Sequence, residues 1–537
     1  MKPFPSTPAP TTPAPTDTRI AVCTHPSEPR WLQGFLLLLA AAYAALLVRF
    51  PNPFFADDSF FYLQVGRNFA LGHGCTFNRL MPTNGYHPIW MLLCALVYKL
   101  FPGRTSGLHA VAALIVLLNL ATLWLAQRLL HKLGTEAWIA WTILLPFLFG
   151  LQLGTESSLS AAMLAALLLA LHAWMESPSG TAAFLFNAAA MLAVLCRLDS
   201  IFIIASIWFA ALLWATRQSD RRPLRWHLQC IPVYIFFWGG YLLTNLVWFH
   251  NIVPISGLLK SSNNWDHRFG HNLPHTALIA LVLAAMSLLI LWRRQRDRWL
   301  LYVELPFFVG VLLHAAYITL RMTSETRWTW YYTSWALLAA LMSARATACL
   351  LRTQHGSRTP RLLATACAAL LSLALFQHYG WHHSKLQSLP LPPVQFEQTL
   401  EAQDHIQRVL AYDQPGAMAY YSNISVVPID GLMGNLDFQR ELAHQGLQEF
   451  LHREKIEAFV GPPVPLDAWG KRTYCDQIFL ESTRFTCAPL GHGLWTITGV
   501  EVYARRPFQP AGFLALSPAQ ILWNQPNYVA VWRIAQP

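Results

Sequence analysis

Apolar residues fall in long blocks along this chain, with short polar loops between them. The blocks cover about residues 33–50, 107–127, 135–153, 159–175, 180–196, 200–216, 228–249, 274–292, 299–320, 331–351 and 361–379. A helix needs about 20 apolar residues to cross a bilayer. It satisfies its own backbone polar groups as it does so. The blocks are rich in Leu and Ala and lack the alternation, over about ten residues, of a membrane barrel strand. The pattern predicts an all-α polytopic membrane bundle of about 11 transmembrane helices, with the first block retained as a membrane helix.

One further apolar run, "HPIWMLLCALVYKLF" from His87 to Phe101, is too short to cross, because Pro88 and Pro102 bracket it. It is expected to lie at the interface. Charge supports that choice. With the N-terminus cytoplasmic and His87–Phe101 not crossing, "QRLLHK", "TRQSDRRPLRWH", "RRQRDR" and "LLRTQHGSRTPR" all become cytoplasmic loops. These hold most of the loop Arg and Lys, as the positive-inside rule requires. If His87–Phe101 crossed, all four would land outside.

Composition sharpens this picture. The chain is 54% hydrophobic and 12% charged, against about 25% charged in soluble domains. The net charge of +11 sits largely in topology-setting loops with no nucleic-acid motif beside it, so nucleic acid is not an expected partner. Residues 1–31, rich in Pro, Thr and Ala, are expected to be a disordered cytoplasmic tail. Residues 32–379 form the predicted membrane domain, with a first outer loop at 51–106.

Residues 380–537 are more polar and punctuated by Pro and Gly, and are expected to be a small extracytoplasmic α/β domain with its own core. There "AMAYYSNISVVPIDGLMGN" reads as two short strands around a turn, "LQEFLHREKIEAFVGPP" as a helix then a strand, and "GLWTITGVEVYARR" as a strand. Cys475 and Cys487 lie in that segment, where a disulfide and two free thiols are both open readings.

Candidate chemistry gathers on the predicted outer side. Asp57 and Asp58 follow the first block inside the aromatic stretch "FFADDSFFYLQVGRNFALGHG". A charge at the bilayer centre costs about 2.5–3.5 kcal/mol, so the pair is expected just beyond the helix end, at the interface. Burial beside aromatic rings raises a carboxyl pKa and readies it for proton transfer; a pair of solvated loop carboxylates is the other reading. Glu156, Arg197, Asp199, Ser256, Lys260, Arg321, Glu325 and Arg327 fall on the same side. Arg and Lys there suit a lipid-linked phosphate, and Arg197 with Asp199 also suits a structural ion pair. His73 and His87 are near enough in sequence to the aspartates to raise metal ligation, though no HxH or HxxxH spacing supports it. His382 and His383 have no ligand partners in view.

The acidic pair in "DDSFFYLQVGRNFALGHG", the turn-rich stretch after it and "PTNGYHPIW" leading the short helix resemble the polytopic GT-C superfamily of glycosyltransferases. The mannosyl-, aminoarabinosyl- and arabinofuranosyltransferases of that superfamily share the layout. "GTESSL", "CRLDS" and "YYSNISVVPIDGLMGN" add weaker likeness. This chain has Asp-Asp where several relatives have Asp-Glu, and His-Pro-Ile where several have His-Pro-Pro.

The resemblance implies a bacterial inner-membrane enzyme. It would move a monosaccharide from a polyprenyl-phosphate-linked donor to an extracytoplasmic acceptor, among membrane lipids, with inversion. Asp57 or Asp58 would be the general base. Arg197, Lys260, Arg321 and Arg327 would hold the phosphate, and Glu156 would position the acceptor or brace a cation. Asp199, Ser256 and His87 complete the candidate substrate-binding set. The resemblance also admits a divalent cation (Mg or Mn) at the aspartate pair. A transporter or flippase of lipid-linked sugars, and a non-catalytic envelope assembly protein of the same fold, are the competing readings. The one-sided clustering of ionisable residues argues against the first, and the intact acidic pair against the second.

Overall fold

The computed structural model describes residues 30–149, 151, 153–261, 275–322, 329–353, 405–411, 415–428, 432–438 and 446–461, and the strands within 479–533. Every predicted span from 33–50 to 331–351 coincides with a helix. Among the described residues, seven helical segments are long and apolar enough to cross a membrane: Arg104–Lys132, Ser157–Glu176, Leu198–Thr216, Arg222–Phe249, Thr276–Arg294, Leu300–Arg321 and Trp330–Arg352. The apolar helices at Gly34–Arg49, Ala137–Leu148 and Gly180–Cys196 are shorter. The predicted span 361–379, the interdomain boundary at 380 and the Cys475–Cys487 question lie outside the described residues or their side chains. The protein is a multi-pass membrane protein.

The stretch expected as the first outer loop folds as two helices and a tight turn. Helix α1 (Asp57–Ala70) carries Asp57 and Asp58 in its first turn and Arg67 in its last, which suits the helix dipole at both ends. It packs on helix α2 (Pro88–Leu100), which Pro88 opens at its first helical position. Between them, Asn68 donates to the carbonyls of Thr76 and Phe77 (2.9 and 3.1 Å). The carboxamide oxygen of Asn78 caps the amides of Leu80 and Met81. Helix α2 is amphipathic as expected of an interfacial helix. Trp90, Cys94 and Tyr98 are fully buried, while Leu92, Leu96 and Leu100 form an exposed stripe at i, i+4, i+8.

A second loop, 153–156, is fastened beneath α1. Ser59 Oγ donates to the Leu153 carbonyl (3.0 Å), and Trp90 Nε1 donates to the Gly154 carbonyl (3.0 Å). Gly154 has φ +84° and lies against Ser59, so a side chain there would be strained and would strike its neighbour. This loop delivers Glu156 to the start of helix α3 (Ser157–Glu176).

At the turn near residue 297, a buried ionic cluster joins helix α4 (Thr333–Thr353) to the segment before helix α5 (Leu305–Arg321). Arg345 donates to Glu304 and, at 2.6 Å, to Asp297.

In the C-terminal segment, strand β1 (Arg408–Ala411) pairs in parallel with β2 (Ser425–Pro428) and β3 (Ala458–Gly461). Tyr528–Arg533 pairs antiparallel with β3. "LQEFLHREKIEAFVG" forms the expected helix (Gly446–Arg453) and strand, and Leu494–Val502 the expected strand. One expectation is corrected: "AMAYY" is part of helix α6 (Pro415–Tyr421), not a strand. The β propensity of the two tyrosines yields to packing, since Tyr420 and Tyr421 place their rings 5.3 and 5.5 Å from that of Phe60.

Candidate active site

A cavity of about 300 Å³ opens where these loops meet. Asp58 and Tyr62 reach it from α1, and His87 from the N-cap of α2. Glu156 arrives from the fastened loop, and Arg197 and Asp199 from the junction between Gly180–Cys196 and Ile201–Thr216. Ser256 and Lys260 come from the short helix Ile255–Lys260. Trp330 and Tyr331 precede α4, while Leu432 and Met433 enter from the C-terminal segment.

Of the residues picked from sequence, the structure brings Asp58, His87, Glu156, Arg197, Asp199, Ser256 and Lys260 together. Arg321 is exposed at the end of α5, one residue before Met322, which lines the cavity. Glu325, Arg327, His382 and His383 lie outside the described residues.

Asp57 points elsewhere. Its two carboxylate oxygens accept the backbone N–H groups of Gly416 (3.0 Å) and Ala417 (2.8 Å). The aspartates therefore do not converge on one point. Among the described residues no group of three or more His, Cys, Asp and Glu could hold a metal ion.

The polar groups of the cavity form one connected network. Arg197 is buried and donates to Glu156. Its Nε and Nη2 each lie 2.8 Å from an oxygen of Asp199. Burial works against its charge, but Asp199 and Glu156 more than offset that, and the guanidinium is held more firmly protonated than usual. Its face also stacks over Tyr331 at 4.8 Å.

Asp199 in turn faces His314 Nε2 at 3.4 Å, and His314 Nδ1 accepts from Trp335 Nε1 at 3.1 Å. Burial, then the nearby Glu156 to which it hydrogen-bonds, push the Tyr62 hydroxyl well above its ordinary value, so it remains a proton donor. His87 Nδ1 accepts the Leu198 N–H at 3.3 Å. The neutral ring therefore carries its proton on Nε2, 3.7 Å from Glu156. Burial holds its pKa below the usual value.

Lys260 Nζ donates to the Tyr331 hydroxyl at 3.0 Å. Arg197 is thus engaged by two carboxylates, and Lys260 is tied to Tyr331. The network also includes groups missed in the sequence. Tyr62 stands one helical turn after Asp58, an i, i+4 spacing that puts both on one face. Tyr331 sat unremarked in an aromatic run, and His314 and Trp335 lay inside apolar blocks.

Two crystal structures of ArnT from Cupriavidus metallidurans have this fold. The one bound to undecaprenyl phosphate superposes with a TM-score of 0.51, over 81% of this chain and 94% of that chain, at 11% identity. The apo structure gives a TM-score of 0.52, 80% and 93% coverage, and 13% identity. The likeness is one of fold. No protein-family model matches the chain, and no curated protein matches it.

Proposed function

We propose that the protein is an integral-membrane glycosyltransferase. It moves a monosaccharide from a polyprenyl-phosphate-linked donor to the hydroxyl of an extracytoplasmic acceptor, a glycolipid, polysaccharide or protein. In this reading it lies in the inner membrane of a bacterium, with the N-terminus cytoplasmic and the C-terminal segment periplasmic. Asp58 takes the hydroxyl proton as the acceptor oxygen attacks the anomeric carbon. The bond from that carbon to the phosphate oxygen breaks, and the configuration inverts. Lys260, held by Tyr331, takes up the charge of the departing lipid phosphate. Glu156, Arg197 and Asp199 brace the wall of the cavity, and His87 and Ser256 face the substrates.

The observation that carries this reading is convergence. Polar residues from segments as far apart as Asp58 and Lys260 line one cavity in a membrane fold shared with a protein crystallised with undecaprenyl phosphate. The test is mass analysis of envelope lipids and glycans from cells with and without the protein. The expected result is loss of one sugar substituent and accumulation of its polyprenyl-phosphate donor. An unchanged envelope, with no donor accumulating, overturns the reading.

A further inference from the structure

Asp57 and Asp58 are neighbours in sequence but serve different partners in space. Asp58 faces the cavity. Asp57 receives two consecutive backbone N–H groups, at 3.0 and 2.8 Å, from a segment more than three hundred residues further along the chain. Gly416 makes this approach possible. A Cβ there would stand 2.3 Å from the Asp57 carbonyl oxygen and 3.0 Å from each carboxylate oxygen.

The contact is one of several between the same two segments. Tyr98 and Tyr420 share a hydrogen bond of 2.6 Å, and the Tyr420 hydroxyl also donates to the Arg104 carbonyl at 2.5 Å. Arg104 Nη2 donates to the Ser422 carbonyl (2.6 Å) and to Asn423 Oδ1 (2.8 Å). Tyr421 donates to Asn52 Oδ1. Leu432 and Met433, a few residues further on, line the cavity itself.

We infer that Asp57 is a positioning residue, a latch by which the segment 415–428 fixes the first turn of α1 and so aims Asp58 into the cavity. The inference rests on the reading of Asp58 as the base. Rotation of α1 about its axis would swing Asp58 away. The latch resists that rotation at the residue next to Asp58, and the tyrosine and arginine contacts hold the segment that bears it. The site is built jointly by the first outer loop and the C-terminal segment, and an acidic pair that looks interchangeable in sequence is divided into a reacting group and an anchor.

The roles separate by chemistry. An amide oxygen can accept an N–H, but an amide cannot take up a proton from a hydroxyl. Asp57→Asn, Asp57→Ala, Gly416→Ala, the double variant Asp57→Ala/Gly416→Ala and Asp58→Asn are each supplied to cells lacking the wild-type protein. The readout is the envelope sugar lost on deletion, normalised to protein in the membrane, with a melting curve for each purified variant.

Asp58→Asn should fall about 10²–10⁴-fold. Asp57→Asn should stay within about tenfold of wild type, since one N–H keeps its acceptor. Asp57→Ala should fall by up to about 10²-fold through misplacement of the base. Gly416→Ala should fall with it, and the double variant should fall at least as far as Asp57→Ala alone, because the added Cβ meets the Asp57 backbone carbonyl whatever the side chain.

Asp57→Asn as inactive as Asp58→Asn, with both melting like wild type, would make Asp57 a proton acceptor and end the inference. Wild-type activity in Asp57→Ala would end it too. Full activity in Asp58→Asn removes the base itself, a failure of the underlying reading that the Asp57 variants cannot mimic. The two isosteric asparagine variants decide the matter even if the alanine variants do not fold.

Discussion

Arg197 and Asp199 are joined in a two-pronged ion pair, with Nε and Nη2 each 2.8 Å from a carboxylate oxygen, and both residues are largely withdrawn from water. Glu156 completes the set from the far side of the guanidinium. Two carboxylates on one buried cation leave the arginine little capacity for a ligand. Its weight falls on architecture. Arg197→Ala would strand both acids in a dry site, and removing one member of a buried pair costs about 3–5 kcal/mol. The expected outcome is a large drop in melting temperature in detergent. Arg197→Lys should rescue it poorly, because an ammonium cannot reproduce the planar two-pronged geometry.

Lys260 has a different task. Its Nζ lies 3.0 Å from the Tyr331 hydroxyl and on the cavity lining, and the proposed reading gives it the phosphate. Lys260→Ala should weaken binding of undecaprenyl phosphate, measured by native mass spectrometry, by about 10–100-fold, the worth of one charge-assisted hydrogen bond. Tyr331→Phe keeps the charge and loses only the tether, and should weaken binding by less than about tenfold. Equal binding by Lys260→Ala and wild type would move the phosphate elsewhere.

Asp58→Asn should leave the melting curve close to wild type while abolishing sugar transfer. Asp58→Glu should restore a measurable fraction, since it keeps a proton acceptor at a longer reach. A dead Asp58→Glu with a normal melting curve would show that position matters as much as basicity.

His87 makes stability depend on pH. Burial lowers its pKa in the folded protein below the ordinary value of about 6.5. Above that value neither folded nor unfolded chain binds the proton, and His87 adds no pH dependence. As pH falls below it, the unfolded chain takes up a proton that the folded ring refuses, so stability is lost until the lowered folded value is reached. Melting temperature should therefore decline on acidification from about pH 6.5. The decline should be shallower in His87→Gln, whose amide oxygen can still accept the Leu198 N–H.

Arg345 ties Glu304 and Asp297 together. Arg345→Met should destabilise the fold by about 3–5 kcal/mol, and restoring neutrality with Glu304→Leu in the same chain should recover much of that. Detergent melting curves check both.

Sequence legibility followed the range of each interaction. Long apolar blocks define helices by themselves, and so the helices from 33–50 to 331–351 were readable. The shortness of His87–Phe101 between two prolines correctly marked a helix of 13 residues. Glu156, Asp199 and Lys260 were picked out because ionisable residues beside apolar blocks are rare, and all three line the cavity. The division of labour within the aspartate pair was not, because the partner of Asp57 lies 359 residues away, and neighbouring positions give no sign of which one faces a distant backbone. His314 and Trp335 were hidden for a related reason. Inside apolar blocks they read as core, and only packing reveals that one holds the other against Asp199. The tyrosines of "AMAYY" misled through propensity, which a well-matched aromatic surface on Phe60 overrode.

The leucine stripe on α2 bears on where chemistry can occur. Leu92, Leu96 and Leu100 are 50, 56 and 66% exposed on a helix too short to traverse a bilayer. Their opposite face is bolted, through Trp90, to the loop that carries Glu156. In the proposed reading this stripe faces lipid and sets the depth of the cavity like a keel, so that a swap to lysines should lift the site off the leaflet while leaving the network around it assembled.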